Sequence, residues 1–84
     1  MNRDTAIVVF VMHKRNQSVD LQLPLFISAN ELVVALNAAY NLEIDTSDIK
    51  NCYLKAENPI ALLKGNKTLA EFGIQNGSVI NYTE

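Results

Sequence analysis

The sequence predicts a small α+β fold, a mixed sheet of four to five strands packed on one long helix. Three observations carry this reading. Two strand-like apolar patterns follow one another near the start of the chain. One well-capped helical pattern comes next. A short β-branched run, Ser78 to Tyr82, lies near the end.

Residues Ala6 to His13 are almost all β-branched, aromatic or otherwise apolar, which marks a strand. The polar stretch "KRNQS" at 14 to 18 is turn-prone. In "VDLQLPL", Val19, Leu21, Leu23 and Leu25 alternate with Asp20, Gln22 and Pro24, the period of a half-buried strand. Pro24 has no N–H, so its nitrogen must face away from the ladder or sit near the strand end. "SANE" then fits a capping box, with Ser28 as N-cap and Glu31 three residues on. Ile27 and Leu32 suit a hydrophobic staple around that cap. Leu32, Val33, Leu36, Ala39 and Tyr40 recur at helical spacing, predicting a helix over 29–41.

"EIDTSD" at 43 to 48 reads as a polar connection, with Asp45, Thr46 or Ser47 capping a helical turn. "NCYLKAE" (51 to 57) and "IALLK" (60 to 64) read as short strands around an Asn-Pro turn. A hairpin followed by one long helix must lay that helix across the sheet, because the helix has a single apolar face to bury. The final strand then fits beside the first in the sheet centre. This is the β-grasp arrangement. A ferredoxin-like layout expects two helices, and only one long pattern is present.

At 84 residues the chain makes one domain, expected over 6–84 after a flexible segment at 1–5. Such a chain buries only about 60–65% of its unfolded surface, so the core is thin. Apolar residues make up 49% of the sequence, a globular composition. The net charge is −2 and the cations are scattered, with only Lys14 and Arg15 adjacent. Nucleic-acid binding needs cations converging on phosphates, so that class is disfavoured, as is an anionic membrane surface. The apolar run "AIVVFVM" is far short of the ~20 residues that span a bilayer and precedes no small-residue cleavage site. A cytosolic location is expected, without direct membrane insertion.

Candidate chemistry is sparse. His13 is the only histidine and Cys52 the only cysteine. Neither has the companions that a metal site or disulfide requires, so His13 is expected at a strand end and Cys52 as a small core residue. The acids at 43 to 48 lack the glycine and terminal glutamate of a calcium loop. No glycine-rich phosphate loop is present. No catalytic residue, cofactor or metal is expected.

The stretch "TLAEFGIQNGSVINY", 68 to 82, resembles the closing segment of ubiquitin-like domains. That family places Thr-Leu, an aromatic, an Ile and a Gly turn before its last strand. Here these are Thr68, Leu69, Phe72, Ile74 and Gly77, ahead of Val79 to Tyr82. Thr68 and Glu71 also fit a capping box. The family usually has Tyr where Phe72 stands, so the hydroxyl tie to backbone is missing here. Length and element order further resemble the YukD/EsaB family of Gram-positive type VII (ESX-like) secretion systems. That resemblance implies an accessory protein-interaction module with secretion-machinery partners. Ubiquitin and the sulfur carriers act through a flexible Gly-Gly tail, whereas this sequence ends Tyr82-Thr83-Glu84. Neither conjugation nor sulfur carriage is therefore expected; a modifier with a longer native C-terminus is the alternative.

The first strand supplies a candidate partner surface. Ala6, Val8, Phe10 and Met12 share one face, and Ile7, Val9 and Val11 the other. Only one sheet face meets the helix, so one apolar set should remain on the open face. By analogy with the family, Ile80 and Tyr82 face the helix, leaving Val79 and Asn81 outward. The expected protein-binding patch comprises Ile7, Val9, Val11, Gln22, Lys55, Val79 and Asn81, with Gln22, Lys55 and Lys64 on its rim. Homodimerisation through the same face is a second use of it.

Overall fold

The structure, a computed structural model, describes residues 4–83. Strand β1 (Thr5–Met12) turns through a short 3-10 segment (His13–Arg15) into β2 (Gln17–Pro24). Helix α1 (Ala29–Tyr40) follows, then a 3-10 helix (Thr46–Asn51), β3 (Leu54–Glu57), β4 (Ala61–Leu63) and β5 (Val79–Tyr82). The five strands form one sheet in the order β2-β1-β5-β3-β4. β1 and β5 run parallel at its centre, and the other pairs are antiparallel. This is the expected β-grasp topology, completed by the fifth strand.

The β1 alternation resolves in one sense. Ala6, Val8, Phe10 and Met12 are buried under α1, each no more than 2% exposed. Leu32, Val33 and Leu36 of α1 come down onto them, with Ile80 of β5 and Leu54 and Ala56 of β3 completing the layer. Burying one such aliphatic or aromatic side chain contributes about 1.5–3 kcal/mol, so a few contacts decide the stability of a core this size. The Phe10 and Tyr40 rings meet with centroids 5.5 Å apart. Ala39, at the same helical spacing, is exposed rather than buried, because it lies on the flank of α1 that overhangs β2.

Both ends of α1 are closed by side chains. Ser28 Oγ accepts from Glu31 N at 3.1 Å and Glu31 Oε1 accepts from Ser28 N at 2.9 Å, so the expected capping box is complete. Asn41 ends the helix in the left-handed conformation. The Arg15 guanidinium donates to the carbonyls of Tyr40 and Asn41, both at 2.6 Å, placing a cation at the negative end of the helix dipole.

Several boundaries shift: β1 ends at Met12 rather than His13, β2 runs Gln17–Pro24 where 19–25 was expected, α1 ends at Tyr40 rather than Asn41, and β4 is Ala61–Leu63 within the expected 60–64. β1 begins at Thr5, one residue ahead of the expected domain start, and Asp4 O before it accepts from Leu25 N at 2.7 Å; the rest of the segment expected to be flexible, residues 1–3, lies outside the described residues. β3 begins at Leu54 rather than Asn51. Asp45 caps the preceding 3-10 helix through Ser47 N, and that helix runs to Asn51. Cys52 accordingly follows the helix instead of lying in the strand, but it is buried in the core as expected.

The closing segment docks as a plug. Thr68 Oγ1 accepts from Glu71 N and Glu71 Oε1 accepts from Thr68 N, forming the second capping box. Leu69 is fully buried and Ile74 nearly so, while Phe72 packs half-buried against them. Leu69 N and Ala70 N donate to Ile27 O and Leu25 O, tying the plug to the segment before α1. Lys67 Nζ lies 5.0 Å from the Phe72 ring centroid, a cation–π contact at the position where a tyrosine hydroxyl is missing. Gly77 adopts φ +90° and donates to Ile7 O at 2.9 Å, a turn that favours glycine.

Candidate docking face

With α1 on one side of the sheet, the opposite side faces outward. Strand register assembles its residues in rows. Asp20, Val9, Val79 and Glu57 form one row across β2, β1, β5 and β3. Ser18, Val11, Asn81, Lys55 and Leu62 form the next, and Gln22 stands beside Ile7 in a third. The centre of the face is thus Ile7, Val9, Val11 and Val79, four aliphatic side chains on adjacent central strands. Ile7 is 57% exposed, and the other three are half-buried.

The flanks are polar. Gln22 Nε2 donates to Thr5 Oγ1 at 3.1 Å along the β1–β2 side. On the other side lies a band of His13, Asn81, Lys55 and Glu57. Asn81 is directed outward as expected but is only 7% exposed, because its neighbours close over it. Its Nδ2 donates to Lys55 O at 3.2 Å and to Glu57 Oε2 at 2.8 Å, which turns Oδ1 toward His13 Nε2 at 2.7 Å. The acceptor on Asn81 requires His13 to donate from Nε2. Asn81 therefore fixes the band more than it offers contact area.

Beyond that band the structure adds two residues that the sequence reading left out. Ile60, in the turn before β4, is 91% exposed and Leu62 of β4 50%, beside a shallow groove of about 530 Å³ that His13, Lys55, Glu57 and Asn81 also line. The signal was present in "IALLK": with Ala61 and Leu63 inward, Ile60 and Leu62 must alternate outward.

The lone thiol and imidazole have separate partners. His13 Nε2 is held by Asn81, while Cys52 Sγ lies 3.4 Å from Asp45 O and 3.5 Å from Asp48 O. Burial, followed by the carboxylates of Asp48 and Asp45, pushes the Cys52 thiol above its ordinary value. Among the described residues no cluster of three or more His, Cys, Asp or Glu could hold a metal ion. Among the described residues no helix is long and apolar enough to cross a membrane.

Comparison with solved structures places this architecture among ubiquitin-like folds. The C-terminal ubiquitin-like domain of mouse tubulin-specific chaperone e aligns with a TM-score of 0.72 and 15% identity, over 93% of this chain and 84% of that one. The ubiquitin-like domain of Plasmodium falciparum Dsk2 aligns with a TM-score of 0.60 and 14% identity, over 92% and 96%. The ubiquitin-like domain of the Mycobacterium tuberculosis type VII secretion system protein ECCD1 aligns with a TM-score of 0.54 and 16% identity, over 92% and 94%. No curated protein matches the sequence.

Fold and topology thus define a ubiquitin-like β-grasp protein. Residues 6–81 match the family described as "WXG100 protein secretion system (Wss), protein YukD", and the chain belongs to that family.

Proposed function

We propose that this chain is a non-catalytic docking module of a type VII secretion system, working in the cytosol and engaging a protein component of the machinery through the outer face of its sheet. The observation that carries the reading is the contiguous strip of Ile7, Val9, Val11 and Val79, on the side of the sheet opposite α1. Exposed apolar strips with polar margins suit protein contact. Gln22 on one flank and Lys55 and Glu57 on the other give the strip a polar rim, and Ile60 and Leu62 extend the contact area beyond it. Lys64 follows β4 on the same margin.

The test is capture of type VII secretion components by the wild-type chain and by Val9→Asp and Val11→Asp variants whose folding is verified by circular dichroism. Loss of a secretion component with both variants supports the outer face. Retention of every component by folded variants contradicts it. Intact mass spectrometry of the protein from its native cell separates this reading from the modifier alternative: a C-terminal Gly-Gly or thiocarboxylate species would favour a modifier or sulfur carrier.

A further inference from the structure

β2 is an edge strand of the sheet. Ile7 O accepts from Gly77 N and Val9 N donates to Ser78 O, so the odd-numbered residues of β1 bond toward β5. The even residues Ala6, Val8 and Phe10 must then bond toward β2, where their partners are Leu23, Leu21 and Val19. It follows that Ser18, Asp20 and Gln22 direct both their N–H and C=O groups to the open edge of the sheet. Pro24 adds a carbonyl there. β2 ends the strand order, so this row is the template for one more strand.

Next to that edge is a cleft of about 440 Å³ between β2 and α1, lined by Leu21, Leu23, Ile27, Leu36, Ala35 and Ala39. Ala35 and Ala39 are exposed and one helical turn apart, so their small side chains leave a shelf beside β2. An added strand would lay alternate side chains on this shelf, and the others on the outer face beside Asp20 and Gln22.

Charge selects the occupant. Across β1, Asp20 faces Val9, with Ile7 and Val11 diagonal to it, so β1 supplies no cation. Among the residues lining the cleft, Glu31 is the sole charged one. A second copy fits poorly: in either centred register of a two-fold antiparallel β2 pair, Asp20 would lie opposite or diagonal to the partner's aspartate, and like charges at those positions repel. We propose that the β2 edge receives an extended segment of another protein by strand addition, with apolar residues on the Ala35–Ala39 shelf and Lys or Arg beside Asp20. The edge and its shelf lie apart from the central strip of Ile7, Val9, Val11 and Val79, and Gln22 borders both.

The probe is a heptapeptide alternating Val and Lys, titrated into the isotope-labelled full chain and followed by amide chemical shifts and hydrogen exchange. Controls are the same peptide with Glu for Lys, and with every backbone nitrogen methylated. Expected are shifts along β2 and at Ala35 and Ala39, with slowed exchange of the Ser18, Asp20 and Gln22 amides. Gln22→Pro removes one edge donor without touching the β1 ladder and should weaken binding about tenfold, or ~1.4 kcal/mol. Asp20→Lys should weaken the Lys peptide and favour the Glu peptide. Absence of binding at millimolar peptide, equal binding of the methylated peptide, shifts confined to the outer face, or self-association of the chain through β2 would each overturn the proposal.

Discussion

Asn81 on β5 donates from Nδ2 to Glu57 Oε2 on β3 at 2.8 Å, and the same amide holds His13 through Oδ1 at 2.7 Å. One nearly buried side chain thus pins two charged or titratable neighbours from separate elements. Asn81→Ala removes three polar contacts at once and leaves Lys55 O and Glu57 to find water. Its cost should be about 1–3 kcal/mol, read from urea denaturation.

Leu69 tests the plug. It is fully buried in the core, whereas Ala70 beside it is exposed. Leu69→Ala should lower stability by about 2–5 kcal/mol, a large share of what a domain of this size possesses. Ala70→Ser should change it by less than about 0.5 kcal/mol. Chemical denaturation of the two variants makes the comparison.

Glu71 gives the plug a pH dependence. Backbone and side-chain hydrogen bonds from Thr68, with Lys67 nearby, hold its carboxyl below the ordinary value of 4.5. A depressed folded-state pKa stabilises the fold above the unfolded value, and that contribution disappears as pH falls through the folded value. The stability difference between wild type and Glu71→Gln should therefore be present at neutral pH and shrink below pH 4.5. Thermal melts of both proteins across the acid range would show it.

Cys52 should resist modification in the native state. Burial and two nearby carboxylates keep the thiol protonated, and thiolate is the reactive form. Iodoacetamide at mildly alkaline pH should label it at the rate of unfolding, accelerating with denaturant. Rapid labelling of the folded chain would contradict this and mark Cys52 as a reactive thiol.

The elements most visible in the sequence were those with strong local grammar. Ser28 and Glu31 marked the start of α1 because a capping box is written in four consecutive residues. Thr68, Leu69, Phe72 and Ile74 marked the plug through their spacing. The start of β3 was less legible: Asn51 and Cys52 look strand-compatible, yet the Asp45 cap carries a 3-10 helix through Asn51. On the outer face, β1 periodicity separated two apolar sets but could not choose between them. The burial of Phe10 beneath α1 makes that choice, and it leaves Ile7, Val9 and Val11 outward. Asn81 was legible in direction but not in burial, since its cover comes from His13, Lys55 and Glu57 on other elements. Ile60 and Leu62 are legible in the alternation of "IALLK", where Ala61 and Leu63 turn inward. The β2 edge depends on which residues bond toward β5, a long-range pairing that local pattern does not contain.

The most direct test of the docking account is the affinity of the purified chain for a captured secretion component, measured by titration calorimetry for wild type and Ile7→Asp. Ile7 is more than half exposed, so the substitution should leave the melting temperature nearly unchanged. The account predicts at least about a tenfold loss of affinity, the effect of a charge placed within a desolvated contact. Unchanged affinity in a folded Ile7→Asp protein, confirmed with Val9→Asp, would contradict it.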